Sequence, residues 1–197
     1  MSTRKALRAL LIIIFFLFFG SNVRYVYPID DGFGPANKIE GKHFTIYYAP
    51  RLDVFTLVKQ LNIGLSDKVL AGESIENSDN SNTELASMVD TLFLRVCDIL
   101  DMNLFSFRGN IKIARDQEQL NGIYSNLFNK DLNSWHSFYV YDLNTIYISA
   151  NDFKREILGH EIGHAVISHY FVVLPSVKVQ EVLATYVEYQ LRKSLSQ

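Results

Sequence analysis

Two rhythms of apolar and polar residues alternate along this chain. A period of two sends successive side chains to opposite faces of a strand. It marks "HFTIYYAP" (43–50), ended by Pro50, and "GNIKIAR" (109–115). "SFYVYDLNTIYISA" (137–150) carries it twice and reads as two strands around a turn at Asp142–Asn144. A period near 3.6 marks helices. It runs through "LDVFTLVKQLNIGLSDKVL" (52–70) and again from about Thr83 to Asp101. In the second stretch Leu85, Val89, Leu92, Phe93, Val96, Ile99 and Leu100 share a side, and Asn82 is placed to cap it. "DQEQLNGIYSNLF" (116–128) reads as a further helix, and the last third holds two more, roughly 152–170 and 176–194, parted by Pro175. The polar stretch "AGESIENSDNSN" (71–82) reads as an exposed loop, and the turn-rich "YPIDDGFGPANKIEGK" (27–42) as a linker. This order predicts an α+β fold, a small mixed sheet followed by a helical half.

The first twenty residues follow neither rhythm. Arg4, Lys5 and Arg8 precede "ALLIIIFFLFFG", apolar on every face from Ala9 to Gly20. A basic start before about a dozen apolar residues is a secretory pattern, short for a spanning helix. Phe18 and Phe19 stand near the cleavage position, where small residues are favoured. Residues 1–22 are therefore expected to act as a signal peptide or as an uncleaved signal anchor, with 23–42 as linker and the domain outside the cytoplasm. No cysteine follows that would carry a lipid anchor.

Composition narrows the classes that remain. Hydrophobic residues make up 48% and charged residues 20%, enough for one domain with a real core. Lys and Arg number 19 against 21 acids with no long basic run, so no nucleic-acid partner is expected. The single cysteine, Cys97, excludes an internal disulfide and a thiolate metal cluster and reads as a small buried hydrophobe.

The candidate chemistry sits in "GHEIGHAV" (159–166). On a helix His160 and His164 lie about 40° apart and point the same way, while Glu161 is close enough to reach a water on a shared ion without ligating it. That arrangement suits metal-assisted hydrolysis with Zn²⁺. The context strengthens a motif this short. The next helix, "VQEVLATYVEYQL", offers Glu181 as a third ligand, with Ala184 leaving room for close approach; His169 reads as an exposed or supporting residue. Gly159 and Gly163 each cost about 1 kcal/mol inside a helix, which close approach of a neighbour would explain. "TIYIS" (145–149), read as an edge strand ahead of the helix, would let an extended peptide add to the sheet. Glu156 and Glu188 also face the site side and read as solvated or supporting acids.

"HEIGH" followed by "QEVLATY" resembles the gluzincin metallopeptidases, the thermolysin-like and aminopeptidase-like enzymes with a downstream glutamate ligand. The second piece is similar to N-E-x-x-A-x-Y, with Gln180 in place of Asn and matches at Glu181, Ala184 and Tyr186. The resemblance covers about residues 145–190. It implies a single zincin-like metallopeptidase domain over 43–197, His160, His164 and Glu181 on zinc, and Glu161 as general base. Two features depart from it. No G-x-M-x-N motif precedes the helix, so aminopeptidase specificity is not implied, and Thr185 stands where the thermolysin-like pattern has Asp. For the oxyanion, Tyr186 leads by motif position, ahead of Tyr170, His169 and His136. The expected activity is hydrolysis of a peptide or protein substrate. The alternatives are a non-catalytic zinc-holding or peptide-binding module, and a metal-free structural protein.

Overall fold

A computed structural model describes residues 30–63, 81–132 and 136–193. The leader at 1–22 and nearly all of the polar stretch at 71–82 lie outside these residues. Five strands form one mixed sheet: β1 (Asn37–Glu40), β2 (Phe44–Tyr48), β3 (Gly109–Ala114), β4 (Ser137–Val140) and β5 (Thr145–Ser149). Among the described residues there are five α-helices: α1 (Val54–Leu61), α2 (Ser81–Leu100), α3 (Gln117–Phe128), α4 (Arg155–Tyr170) and α5 (Val177–Lys193). None is long and apolar enough to cross a membrane.

The sheet order is β1-β2-β3-β5-β4, antiparallel at both outer pairs and parallel at the two inner ones. Strand alternation divides the residues between two faces. Phe44, Ile46, Ile111, Ile113, Ile146 and Ile148 face a core shared with α1, α2, α4 and α5. Tyr147, Ala114 and Phe138 face the other way, where Leu120 and Ile123 of α3 and Phe33 cover them. Of the two inner strands β5 is buried at every position, whereas β3 alternates, with Asn110 and Lys112 only partly buried on the second face.

Three expectations change. The stretch assigned as linker carries a strand and belongs to the folded unit, which begins at Asp31. β1 buries only Ile39, too weak a pattern to stand out. Upstream of it Asp31 is buried, takes hydrogen bonds from Tyr147 Oη (2.6 Å) on β5 and Phe33 N (3.0 Å), and pairs with Lys112 on β3. Second, "TIYIS" is not an edge strand. β5 is hydrogen-bonded on both sides, and the edge beside α4 is β4. Third, α2 begins at Ser81, so Asn82 lies in its first turn and is not its cap. α3, α4 and α5 begin and end within about three residues of expectation, while α1 takes up only the start of the expected 52–70 stretch and ends at Leu61, where Asn62 turns left-handed; residues 64–70 lie outside those described. Asp53 and Asp116 cap α1 and α3 by accepting hydrogen bonds from backbone N–H groups of the first turn.

α2 is tied to the first hairpin by Asp90. Its buried carboxylate accepts from Lys42 N (2.6 Å) and His43 N (2.7 Å), holding the β1–β2 turn against the helix. This fixes the layer on which α4 rests.

Candidate metal centre and catalytic cleft

α4 has no polar side. Leu158, Ile162, Val166 and Ile167 are buried, and so are Gly159, Gly163 and Ala165 on other faces of the same helix. The helix is wedged between the sheet, α2 and α5, and one of its faces opens on the seam shared by β4 and α5. His160, Glu161 and His164 emerge there.

α5 is locked in register along that seam. Arg155 is buried and donates through Nη2 to the Leu191 carbonyl in the last turn of α5, where the helix dipole favours a cation. One turn on, Gly159 leaves the space that Leu191 fills: a Cβ there would lie 2.2 Å from Leu191 Cδ1. The close-approach argument therefore holds for Gly159. At Gly163 a Cβ would meet Ala184 and Val187 at 3.5–3.7 Å, ordinary contact, so sterics do not require that glycine. With Leu191 anchored, Glu181 ten residues upstream comes level with the histidines.

The three expected ligand residues meet. His160 Nε2 and His164 Nε2 are 3.2 Å apart, and Glu181 lies 3.6 Å from the first and 3.5 Å from the second. Bonds of about 2.0–2.1 Å in a tetrahedral array place donor atoms about 3.4 Å apart, so this donor set fits zinc in both spacing and chemistry. His160, His164 and Glu181 are the one such group of His, Cys, Asp and Glu residues among those described. Burial, with the neighbouring His160, lowers the His164 pKa to about 4, so the imidazole is neutral and able to ligate.

Glu161 is buried beside this cluster. Its Oε1 accepts a 2.7 Å hydrogen bond from Ser137 Oγ on β4, a contact that nothing in the local sequence announces. Burial raises the carboxyl to about 7; the Ser137 bond opposes the rise and the charge on Glu181 adds to it. An acid with a pKa near neutrality is suited to receive and return a proton.

Glu188 approaches the other ring nitrogen of His160. Its Oε2 lies 3.4 Å from His160 Nδ1, at ion-pair range without hydrogen-bond alignment, and its other oxygen is paired with Arg192. A carboxylate behind a ligating imidazole fixes its orientation and strengthens its ligating nitrogen. Glu188 sits seven residues after Glu181, two turns along the same face, which is the signal by which the sequence marked it. Glu156 lines neither cavity beside the cluster.

Those two cavities flank the cluster and share Glu161 and Glu181. One, about 310 Å³, is walled by Phe138, Tyr139, Tyr141, Leu174 and Val177 beside His164. The other, about 390 Å³, is walled by His136, Ser137, Ile157, Glu188 and Arg192 beside His160. The first is apolar and aromatic; the second carries most of the charge.

The four expected oxyanion donors fare differently. Tyr186 is not brought to the site: it is five residues from Glu181, about 140° round the helix, and stands exposed on the outer face of α5. Tyr170 is exposed and packs its ring edge-on against Phe171. His169 is engaged with the Ala165 carbonyl at 2.9 Å and with the rings of Phe107 and Tyr141, a supporting residue and no ligand. His136 does line the charged cavity, with Nδ1 3.0 Å from Asp152 Oδ2 and the rest of the ring open to solvent. Of the four it is the one at the cleft. No family model, curated protein or solved structure matches this chain.

Proposed function

We propose that this chain is an exported zinc-dependent peptidase, with His160, His164 and Glu181 holding the metal and Glu161 as general base. The observation that carries the reading is the pairing of a three-residue donor set at tetrahedral spacing with a buried carboxyl of near-neutral pKa on the adjoining helical position. A structural metal site has no use for such a base.

Zinc held by these residues would polarise a peptide carbonyl and acidify a water. The chain supplies the remaining parts. Glu161 takes the proton from the attacking water and delivers it to the leaving amine; the hydrogen bond from Ser137 to its Oε1 holds the carboxyl in place between the two cavities. Glu188 and Arg192 orient His160. His136 is placed to donate to the oxyanion once its tautomer is set by Asp152. The free edge of β4, next to Glu161, offers main-chain groups to an extended substrate, taking the role first given to β5. The cavity walled by Phe138, Tyr141 and Leu174 favours an apolar side chain on one side of the scissile bond.

The test is hydrolysis of a mixed-sequence peptide library by the full chain. Cleavage should be lost on chelation and restored by zinc, and Glu161→Gln should lower it by a factor of about 10² or more while zinc stays bound. Full turnover in Glu161→Gln contradicts the assigned base. Zinc binding with no cleavage of any peptide favours the rival, a module that holds metal or peptide without turnover.

A further inference from the structure

The outer face of α5 and the loop before it carry most of the exposed large apolar side chains among the described residues. In the loop Val172 is 102% exposed and Val173 82%, flanked by exposed Phe171 and Leu174. On the helix Val179, Val182, Tyr186 and Tyr189 are all exposed, at spacings of three, four and three residues. At 100° per residue these four span about 80° of the helix circumference, a single stripe. The buried side of α5 is already filled by Ala184, Val187 and Leu191, so the stripe is a second apolar face on one helix. Contiguous exposed apolar surface of this kind marks a contact site.

Charge says what covers it. The stripe begins beside Lys178 and ends beside Lys193, and neither acid of α5 stands on it. The two acids of α5, Glu181 and Glu188, lie about 120–140° from the stripe's centre and turn in to the histidines. An apolar and tyrosine-bearing face, fringed by lysines and free of acids, matches a lipid surface with anionic headgroups. A second copy of the chain fits less well, because two-fold pairing along this helix sets lysine against lysine whether the copies run parallel or antiparallel.

We propose that residues 171–174 and the Val179–Tyr189 face of α5 form a membrane-docking surface that rests the domain on an anionic bilayer. The loop valines enter the acyl boundary, the tyrosines sit at headgroup level, and the lysines meet lipid phosphates. Leu174 and Val177 also wall the apolar cavity, so the docked surface runs up to the mouth of the cleft. The proposal does not depend on whether that cleft is catalytic.

The test uses the full chain with its one tryptophan replaced, Trp135→Phe, and a reporter introduced by Val173→Trp. The protein is reconstituted with phosphatidylcholine vesicles, with or without phosphatidylglycerol, carrying brominated acyl chains. The reporter at 173 should be quenched in the anionic vesicles, while one introduced at an exposed position on the other side of the sheet (Lys130→Trp) should not. Charge removal at Lys178 and Lys193 should weaken docking about fivefold per lysine, read as the loss of quenched fraction. Vesicle association with an unquenched reporter at 173 means tethering by the N-terminal segment alone and overturns the proposal. A reporter shielded without lipid in a self-associating protein assigns the face to a second copy and overturns it equally. Hydrogen exchange of 170–193 in the unmodified chain, protected only with anionic vesicles, reads the same surface without substitution.

Discussion

Glu161→Gln should stabilise the metal-stripped protein at pH 8 even as it removes the proposed base. The side chain is 4% exposed, and burial above all raises its pKa from 4.5 to about 7. At 1.36 kcal/mol per pH unit, holding it ionised costs about 3 kcal/mol relative to the unfolded chain. The penalty is absent below pH 4.5, where both states are protonated. It grows as pH rises towards 7, because the unfolded chain releases its proton first, and it is complete above that. Glutamine keeps the acceptor for Ser137 Oγ but introduces two N–H donors with no assigned partner, a loss of about 1–2 kcal/mol. The variant should therefore be the less stable protein near pH 4.5 and more stable by about 1–2 kcal/mol at pH 8. The assay is urea unfolding with chelator present, at pH 5 and pH 8. Relative stability should move by about 2.5 kcal/mol between the two. A difference that does not change with pH, or a variant weaker at pH 8, refutes the assignment of Glu161 as a buried acid of raised pKa.

Other outcomes follow from the same packing and charges. Gly159→Ala forces Leu191 from its buried position and should destabilise by about 1–3 kcal/mol, whereas Gly163→Ala meets only ordinary contacts and should be neutral or gain up to about 1 kcal/mol; thermal unfolding of the two side by side checks this. Asp31→Asn should cost about 2 kcal/mol at pH 7. Burial raises the Asp31 carboxyl, but hydrogen bonds from Lys112, Tyr147 and Phe33 outweigh it and leave the pKa below its ordinary value. The stability Asp31 contributes is thus present above about pH 4 and disappears as pH falls through its folded-state pKa, so the deficit of the variant should shrink in acid denaturation. Glu188→Gln should leave the fold intact and weaken zinc binding about tenfold, measured by competition with a chelating dye.

How much could be read in advance depends on the range of the contacts involved. The helices α3, α4 and α5 were legible because their periodicity and breaks, such as Pro175, are local. The donor set was legible because His160 and His164 share one helix turn and Glu181 lies on the next antiparallel helix. β1 was not, since a four-residue strand with one buried side chain has almost no pattern. The identity of the edge strand was hidden because pairing order is set by tertiary packing, and β5 and β4 have similar compositions. Ser137 is invisible as a partner of Glu161: the two are 24 residues apart and meet only through the position of β4 against α4. Tyr186 was drawn in by motif position, but five residues from Glu181 is the wrong side of an α-helix.

The most direct test of the central claim is metal content. The full chain, purified without added metal and then equilibrated with equimolar zinc, should retain about one zinc per chain by elemental analysis, and His160→Ala and Glu181→Ala should retain far less. Absence of zinc in the unaltered chain, or equal retention in the His160→Ala protein, would leave two histidines hydrogen-bonded to each other on a buried helix and remove the basis for the peptidase reading.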